Sequence, residues 1–426
     1  FHDDRHAGSF RVFKDNFYCF SCGVYGDGIN FVQRMEDIGF KEAVLKIALH
    51  FDVITNEQLE AYQNGVLVDE KVKIPPRTYE EVYQDEEDGK RQSPDVLHKV
   101  YTLFSEGEGV VHPERRLSEA HKVYLMEERK LSERDIERIG FFTMPRKTRR
   151  FFKAFIGKLQ ERYGLSEDVL KGVPGFYCLD EIGEMTFVAH KGIGIPIRDE
   201  RGRISGIQVR RDAVEDGGAR YIWFSSSFAN GKEGLSHGTG SGSPIHVSYP
   251  ERIKRKNDLF ITEGVFKSEQ LAKTTEAISL SVQGIHGWKG KVSRVIDYLE
   301  EERGLGILTI HVLFDSDICE NPNVYRAFRE MALELKKNHM NTEIYYYWWP
   351  PEFGKGIDDL ILNGFLREIK RIDFKTYIRA YDKMVQTLEK QHDTSIVSVD
   401  KEFVREAFER HIRPLFDKKT KRRGRK

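Results

Sequence analysis

The stretch "DLFITEG" (258–264) is an apolar run, Leu259 to Ile261, closed by an acid and a glycine. A short apolar run bounded by a turn former reads as a buried strand, and the helical segment that follows, from about Val265 to Lys273, makes a strand–helix unit. The unit recurs. "AISLSVQG" (277–284) is a second strand ending in glycine, "GILTIHVLFDSD" (306–317) a third ending in Asp-x-Asp, and "TEIYYYWW" (342–349) a fourth leading into "GKGIDDLI" (354–361). Between the last two, Val324, Phe328, Met331 and Leu335 fall on one helical face. Strands alternating with helices predict a Rossmann-like parallel sheet over 256–370, with a site outside the carboxyl ends of its strands.

Acids stand where such a site belongs. Asp315 and Asp317 are alternate residues and share a face, Glu263 ends a neighbouring strand, and Asp358 and Asp359 come from a loop. Hard divalent cations such as Mg²⁺ or Mn²⁺ take oxygen ligands of this kind, and an ion relieves the mutual repulsion of clustered carboxylates. The expectation is a metal-holding edge that also receives substrate phosphates.

Working outward, residues 371–426 read as helical, with amphipathic "KEFVREAFERHI" (401–412) expected to pack on the core and a basic tail, "KKTKRRGRK" (418–426). Residues 96–255 begin helical and turn β-like, with "GIGIPIRDERGRISGIQVRRD" (192–212) reading as two apolar strands around a "RDERGR" turn. Residues 61–95 carry Pro75, Pro76, Pro94 and an acid cluster without a steady period, which reads as a linker. Residues 1–60 hold Cys19 and Cys22 as Cys-x-x-Cys on a knuckle, with His2 upstream and helical spacing downstream. Two thiolates and an imidazole suit a tetrahedral zinc ion, whereas the redox reading of Cys-x-x-Cys needs a helix start in a βαβ pattern that this segment lacks. The predicted class is therefore multidomain α+β with α/β: a zinc ribbon, a mixed α+β middle section and the sheet domain.

Composition bounds the partners. The 426 residues carry 68 Lys and Arg against 68 Asp and Glu, yet "PRKTRR" (145–150), "ERIKRK" (251–256) and the tail are locally basic. Such runs permit contact with nucleic-acid phosphates without requiring it. Four cysteines argue against a secreted disulfide scaffold. No run of about 18 apolar residues suggests a membrane span, and the polar start does not read as a signal peptide, so the expected compartment is the cytoplasm.

Several of these stretches resemble one family. "FHDD", "SFRVF", "FYCFSCGVYGDGINFV" and "FKEAVLKIA" are similar to the zinc-binding domain of bacterial DnaG-type primases, whose pattern begins Cys-Pro-Phe-His-Asp-Asp; on that pattern the fourth zinc ligand lies two residues before Phe1. "HKVYLMEERKLSERDIERIGFFTMP" (121–145) resembles the start of the primase catalytic core. "IPIRDERGRISGIQVRRD" (195–212) and "RYIWFSS" (220–226) resemble its basic subdomain, which implies that Arg210 and Arg220 face template and nucleotide, with Arg201, Arg203 and Arg211 as nearby support. Glu-Gly after one strand and Asp-x-Asp after a later one are similar to the TOPRIM domain, with Glu263, Asp315 and Asp317 as the implied catalytic acids. Those primases usually place an acid four residues after the glutamate, whereas this chain has Lys267. "TEGVFKSE", "FDSD" and "KGIDDLI" are closer to the TOPRIM-like domain of the DUF3854 type, found in proteins of plasmids, phages and integrative elements. Lys267 removes one ligand and adds a cation that either binds a triphosphate or weakens metal occupancy.

The resemblance implies a primase that makes short RNA primers on single-stranded DNA from nucleoside triphosphates, with structural zinc, catalytic Mg²⁺ or Mn²⁺, and a replicative helicase as a further partner. Two other readings stay open: a non-catalytic single-strand-binding module that recruits a helicase, and a TOPRIM nuclease. No Gly-x-x-x-x-Gly-Lys-Ser/Thr loop occurs, which excludes a fused helicase of that kind within this chain.

Overall fold

The computed structural model describes residues 10–12, 17–19, 25–36, 38–51, 54, 91–214, 219–230, 232–283, 287–316, 321–392, 396 and 399–417. The chain divides into two compact units, 1–78 and 79–426. In the first, β1 (Phe10–Val12), β2 (Phe17–Cys19) and β3 (Tyr25–Gly26) form an antiparallel ribbon, followed by α1 (Gly28–Glu36) and α2 (Phe40–His50). Phe17 is buried and meets Phe31 of α1 edge to face at 5.5 Å, so the ribbon and the helix close one small core. Of the expected zinc ligands, His2 and Cys22 lie outside the described residues, and Cys19 is described only as part of β2.

The second unit opens with α3 (Pro94–Phe104), which starts at Pro94 because Ser93 caps it: its hydroxyl accepts from the Val96 amide, and Pro suits a position whose N–H is unused. The expected linker therefore ends in ordered structure, with Gln92 already bonded to the Gly172 carbonyl. There follow α4 (Glu119–Val123), a π-helical turn over Tyr124–Glu128, α5 (Glu133–Ile139), β4 (Phe142–Thr143) and α6 (Arg149–Tyr163). Next come the β5 (Phe176–Leu179) and β6 (Glu184–Phe187) hairpin and the long hairpin β7 (Gly192–Arg198) and β8 (Ile204–Arg211), whose turn falls where "RDERGR" predicts it. Beyond them lie β9 (Tyr221–Trp223) and β10 (Leu235–Ser236). Strands β4, β7, β8 and β9 make one antiparallel sheet; β10, β5 and β6 make another. Phe104 anchors the helical side, packing against Phe142, Phe151, Phe155, Phe176, Phe187 and Phe224 with ring centroids 4.9–6.3 Å apart.

The sheet domain is built from β11 (His246–Ser248), β12 (Asp258–Glu263), α7 (Val265–Thr275), β13 (Ile278–Val282), α8 (Lys291–Glu301), β14 (Thr309–Leu313), α9 (Pro322–Asn338), β15 (Glu343–Trp348), α10 (Ile357–Asn363) and β16 (Lys370–Asp373). Its order is β11-β13-β12-β14-β15-β16. The four central strands run parallel, as the alternation with helices predicts, but β11 and β16 pair antiparallel on the two edges. Strand β11 precedes the strand–helix alternation, and β16, although the short α10 comes before it, returns antiparallel beside β15. The sheet accordingly begins at His246 rather than at 256.

Three C-terminal helices, α11 (Phe374–His392), α12 (Lys401–His411) and α13 (Arg413–Asp417), cover one face of this sheet. Tyr381 stacks on Tyr325 at 3.6 Å, Tyr377 on Tyr346 at 4.4 Å, and Phe408 and Phe416 close over Trp348. The segment 401–412 thus packs on the core rather than standing away from it. Full burial of an aromatic or aliphatic side chain contributes roughly 1.5–3 kcal/mol, so this layer is a substantial part of the domain's stability.

Candidate active site

Glycine shapes the approach to the acids. Strand β12 ends at Glu263 and the chain turns into α7 through Gly264, whose φ of +79° a side chain would strain. The turn leaves Lys267 in the first turn of α7, close above the carboxyl end of β14. Asp315 follows β14 by two residues. The loop before α10 is tied to the same place: the Ser316 amide donates to the Lys355 carbonyl at 3.0 Å, and the Ser316 hydroxyl and the Trp349 indole N–H both donate to the Gly354 carbonyl, at 3.2 and 2.9 Å. These bonds carry "GKGIDD" to "FDSD" across nearly forty residues.

The result is a cleft of about 400 Å³ between the sheet domain and the β7–β9 sheet. Glu263, Asp315, Asp358 and Asp359 line it, as does Lys267; from the opposite side come Arg129, Gln208 and Tyr221. The acids anticipated from strand ends, Glu263 and Asp315, are brought to one place with Asp358 and Asp359, which stand in the first turn of α10 rather than in a loop. Asp317 lies outside the described residues.

The electrostatics differ from the expected metal-holding edge. Lys267 Nζ is ion-paired with Asp315 Oδ1, and Lys355 Nζ stands 3.9 Å from Asp315 Oδ2. Arg129 reaches Asp358 at 3.3 Å while its guanidinium lies 4.3 Å from the centroid of the Phe266 ring. Asp359 accepts from the Gly356 amide at 2.9 Å and so caps α10. Among the described residues no three His, Cys, Asp or Glu side chains converge into a group that could hold a metal ion. The carboxylates share the cleft, but lysine, arginine and a helix end take up their charge.

Arg210 and Arg220 flank this site rather than line it. Arg210 lies in β8 opposite Tyr221, and its guanidinium sits 3.8 Å from the centroid of the Tyr124 ring. Arg220, exposed, donates to the carbonyls of Arg211 and Asp212 at 3.3 and 3.4 Å. The residues of that sheet that enter the cleft are Gln208, two before Arg210 on the same face, and Tyr221, 37% exposed, whose phenol burial pushes up. Arg129 escaped the sequence reading although it stands in "MEERKLS"; one arginine in a charged run carries no mark of its own until the π-helical turn aims it.

A second charged network lies on the far side of α7. Arg138 of α5 donates to Glu269 at 2.7 Å, and His246 of β11 bonds the other Glu269 oxygen at 2.9 Å while its Nδ1 accepts from the Arg198 amide. Lys273 donates to Asp135 at 2.7 Å. Burial pushes the Asp135 carboxyl up, but Lys273, Ser132 and Arg138 outweigh it and hold it at about 2. Glu269 is likewise held below the usual carboxylate range, burial being outweighed by His246 and Arg138.

Comparison with known proteins agrees with the sequence resemblance. Residues 1–63 match the family model described as CHC2 zinc finger, and residues 252–365 match a domain of unknown function, DUF3854. The first match supports a structural zinc in the N-terminal unit. A DNA primase of Helicobacter pylori is 38% identical over 72 residues, 17% of this chain and 12% of that protein. A DNA primase of Chlamydia trachomatis is 25% identical over 321 residues, 74% of this chain and 44% of that protein. The chain thus spans less than half the length of these curated relatives. Among solved structures, the zinc-binding and RNA polymerase domains of the Aquifex aeolicus primase align over 96% of this chain and 88% of that one, at 19% identity and a TM-score of 0.43. The RNA polymerase domain of Mycobacterium tuberculosis primase DnaG aligns over 68% and 87%, at 16% identity and a TM-score of 0.47. Among the described residues no helix is long and apolar enough to cross a membrane.

Proposed function

We propose that this chain is a DNA primase, making short RNA primers on a single-stranded DNA template by nucleotidyl transfer, in the cytoplasm and alongside a replicative helicase. The observation that carries this reading is the cleft itself, where the strand-end acids of the sheet domain meet Arg129, Gln208 and Tyr221. A growing strand needs phosphate-seeking cations and a polar wall next to the reacting phosphates, and that wall is what the β7–β9 sheet supplies.

In this reading Arg210 and Arg220 hold template and nucleotide at the flank of the cleft, Tyr221 offers a ring edge to a base or ribose, and Lys267 meets the triphosphate only on leaving Asp315. Glu263 and Asp315 are the acids on which synthesis depends. Mg²⁺ or Mn²⁺ bound beside Glu263 and Asp315 would supply positive charge to the reacting phosphates, although the described acids do not by themselves form its ligand set.

The test is incorporation of labelled nucleotides on single-stranded DNA with Mg²⁺ or Mn²⁺, comparing the wild-type chain with a Glu263→Ala, Asp315→Ala double variant. Primers that disappear in the variant support the reading. The Lys267–Asp315 pair favours one alternative, a non-catalytic module that binds single strands; DNA binding equal in both proteins with no synthesis by either would establish it.

A further inference from the structure

Lys267 occupies an unusual seat. The first turn of a helix favours acids, because the unpaired N–H groups leave it electropositive, and a cation there is disfavoured. The first turn of α7 has no acid, and it carries Lys267. Its side chain nonetheless turns inward: it is 18% exposed and ion-paired with Asp315, itself 13% exposed. The loop that closes the cleft leaves room for it. A Cβ placed on Gly356 would lie 2.5 Å from Lys267 Cε and 2.3 Å from Asp358 Oδ1, so the glycine keeps open the space the lysine chain passes through. An ion pair, its counter-helix position and a cradle from a third segment are independent features of one arrangement.

We propose that Lys267 is a resident cation of the acidic edge: it holds Asp315 in the place a divalent ion would otherwise take, and Asp315 becomes an ion ligand only when Lys267 is displaced. The chain's own ammonium then neutralises the carboxylate between substrates, and a nucleoside triphosphate, whose phosphates attract Lys267 away, is what would open Asp315 to an ion. This inference rests on the proposed nucleotidyl-transfer reading for its role, but the pairing and its consequence for ion binding are properties of the cleft alone.

The experiment is Mn²⁺ binding to the full chain, without nucleotide or DNA, followed by electron paramagnetic resonance and calorimetry. Proteins compared are wild type, Lys267→Met, Lys267→Asp, Asp315→Asn and the Lys267→Met, Asp315→Asn double variant. Ions held elsewhere cancel in the differences. Removing a cation within ion-pair distance of a ligand should tighten Mn²⁺ binding by about tenfold or more, so Lys267→Met and Lys267→Asp should each bind more tightly than wild type, and Asp315→Asn should abolish that gain in the double variant while leaving wild-type binding almost unchanged. Equal binding by wild type and Lys267→Met, or a loss from Asp315→Asn as large in the wild-type background as in the Lys267→Met background, would overturn the proposal. Should Lys267→Asp fail to fold, Lys267→Met decides alone, with Lys267→Arg expected to bind as wild type. Primer synthesis is measured separately: its absence would sink the primase reading and leave the ion count to stand or fall by itself.

Discussion

The two sides of α7 carry charged networks of similar composition and different character. On the rear side Glu269 is 6% exposed and has a partner on each oxygen, Arg138 and His246, while Asp135 is locked between Ser132, Lys273 and Arg138. These contacts join α5, α7 and β11, so they fasten the helical subdomain to the sheet. On the front side Asp315 and Asp358 also have cations, but the pairs face a cleft that admits a ligand, and their lysine and arginine can exchange a carboxylate for a phosphate. The rear network also borders a cavity, of about 330 Å³, so the difference lies in what each set of pairs joins. The rear pairs tie α5, α7 and β11 together and serve as a joint; the front pairs stand among the strand-end acids, where a cation is available for exchange.

The comparison breaks most sharply at Glu269. Glu269→Ala leaves Arg138 and His246 without their shared carboxylate and should lower stability by about 3 kcal/mol, read as a fall in the denaturant midpoint. A midpoint within error of wild type would show that the rear network is no joint. The second effect is acidic. Because the folded Asp135 carboxyl sits at about 2 and its unfolded value is near 3.8, its contribution is fully present above about pH 4 and is lost as pH falls toward 2. About 2 kcal/mol should disappear over that interval, and Asp135→Asn should flatten the pH dependence of unfolding there; an unaltered profile would argue that Asp135 is not held down. The smallest effect belongs to the front. Gly356→Ala should cost about 1 kcal/mol, since the added Cβ meets side-chain ends, Asp358 Oδ1 at 2.3 Å and Lys267 Cε at 2.5 Å, rather than backbone. It should nevertheless expel Lys267 and tighten Mn²⁺ binding as Lys267→Met does; stability and ion binding falling together would mean that the front is as rigid as the rear.

By itself the sequence determined the strand–helix alternation of the sheet domain, the 192–212 hairpin, the packing of 401–412 and the gathering of the acids at one edge. Each follows from local periodicity, turn chemistry and the rule that parallel strands present their carboxyl ends together. It also singled out Lys267 as a departure. Only the tertiary structure decided what the acids do with their charge. Lys267 and Asp315 are 48 residues apart, and Arg129 and Asp358 more than 200, so no local pattern announces either pair. The antiparallel edges, the entry of Gln208 and Tyr221 into the cleft, and the joint behind α7 were hidden for the same reason. Periodicity reports which face of an element is buried, whereas ion pairing depends on which other element happens to cover that face.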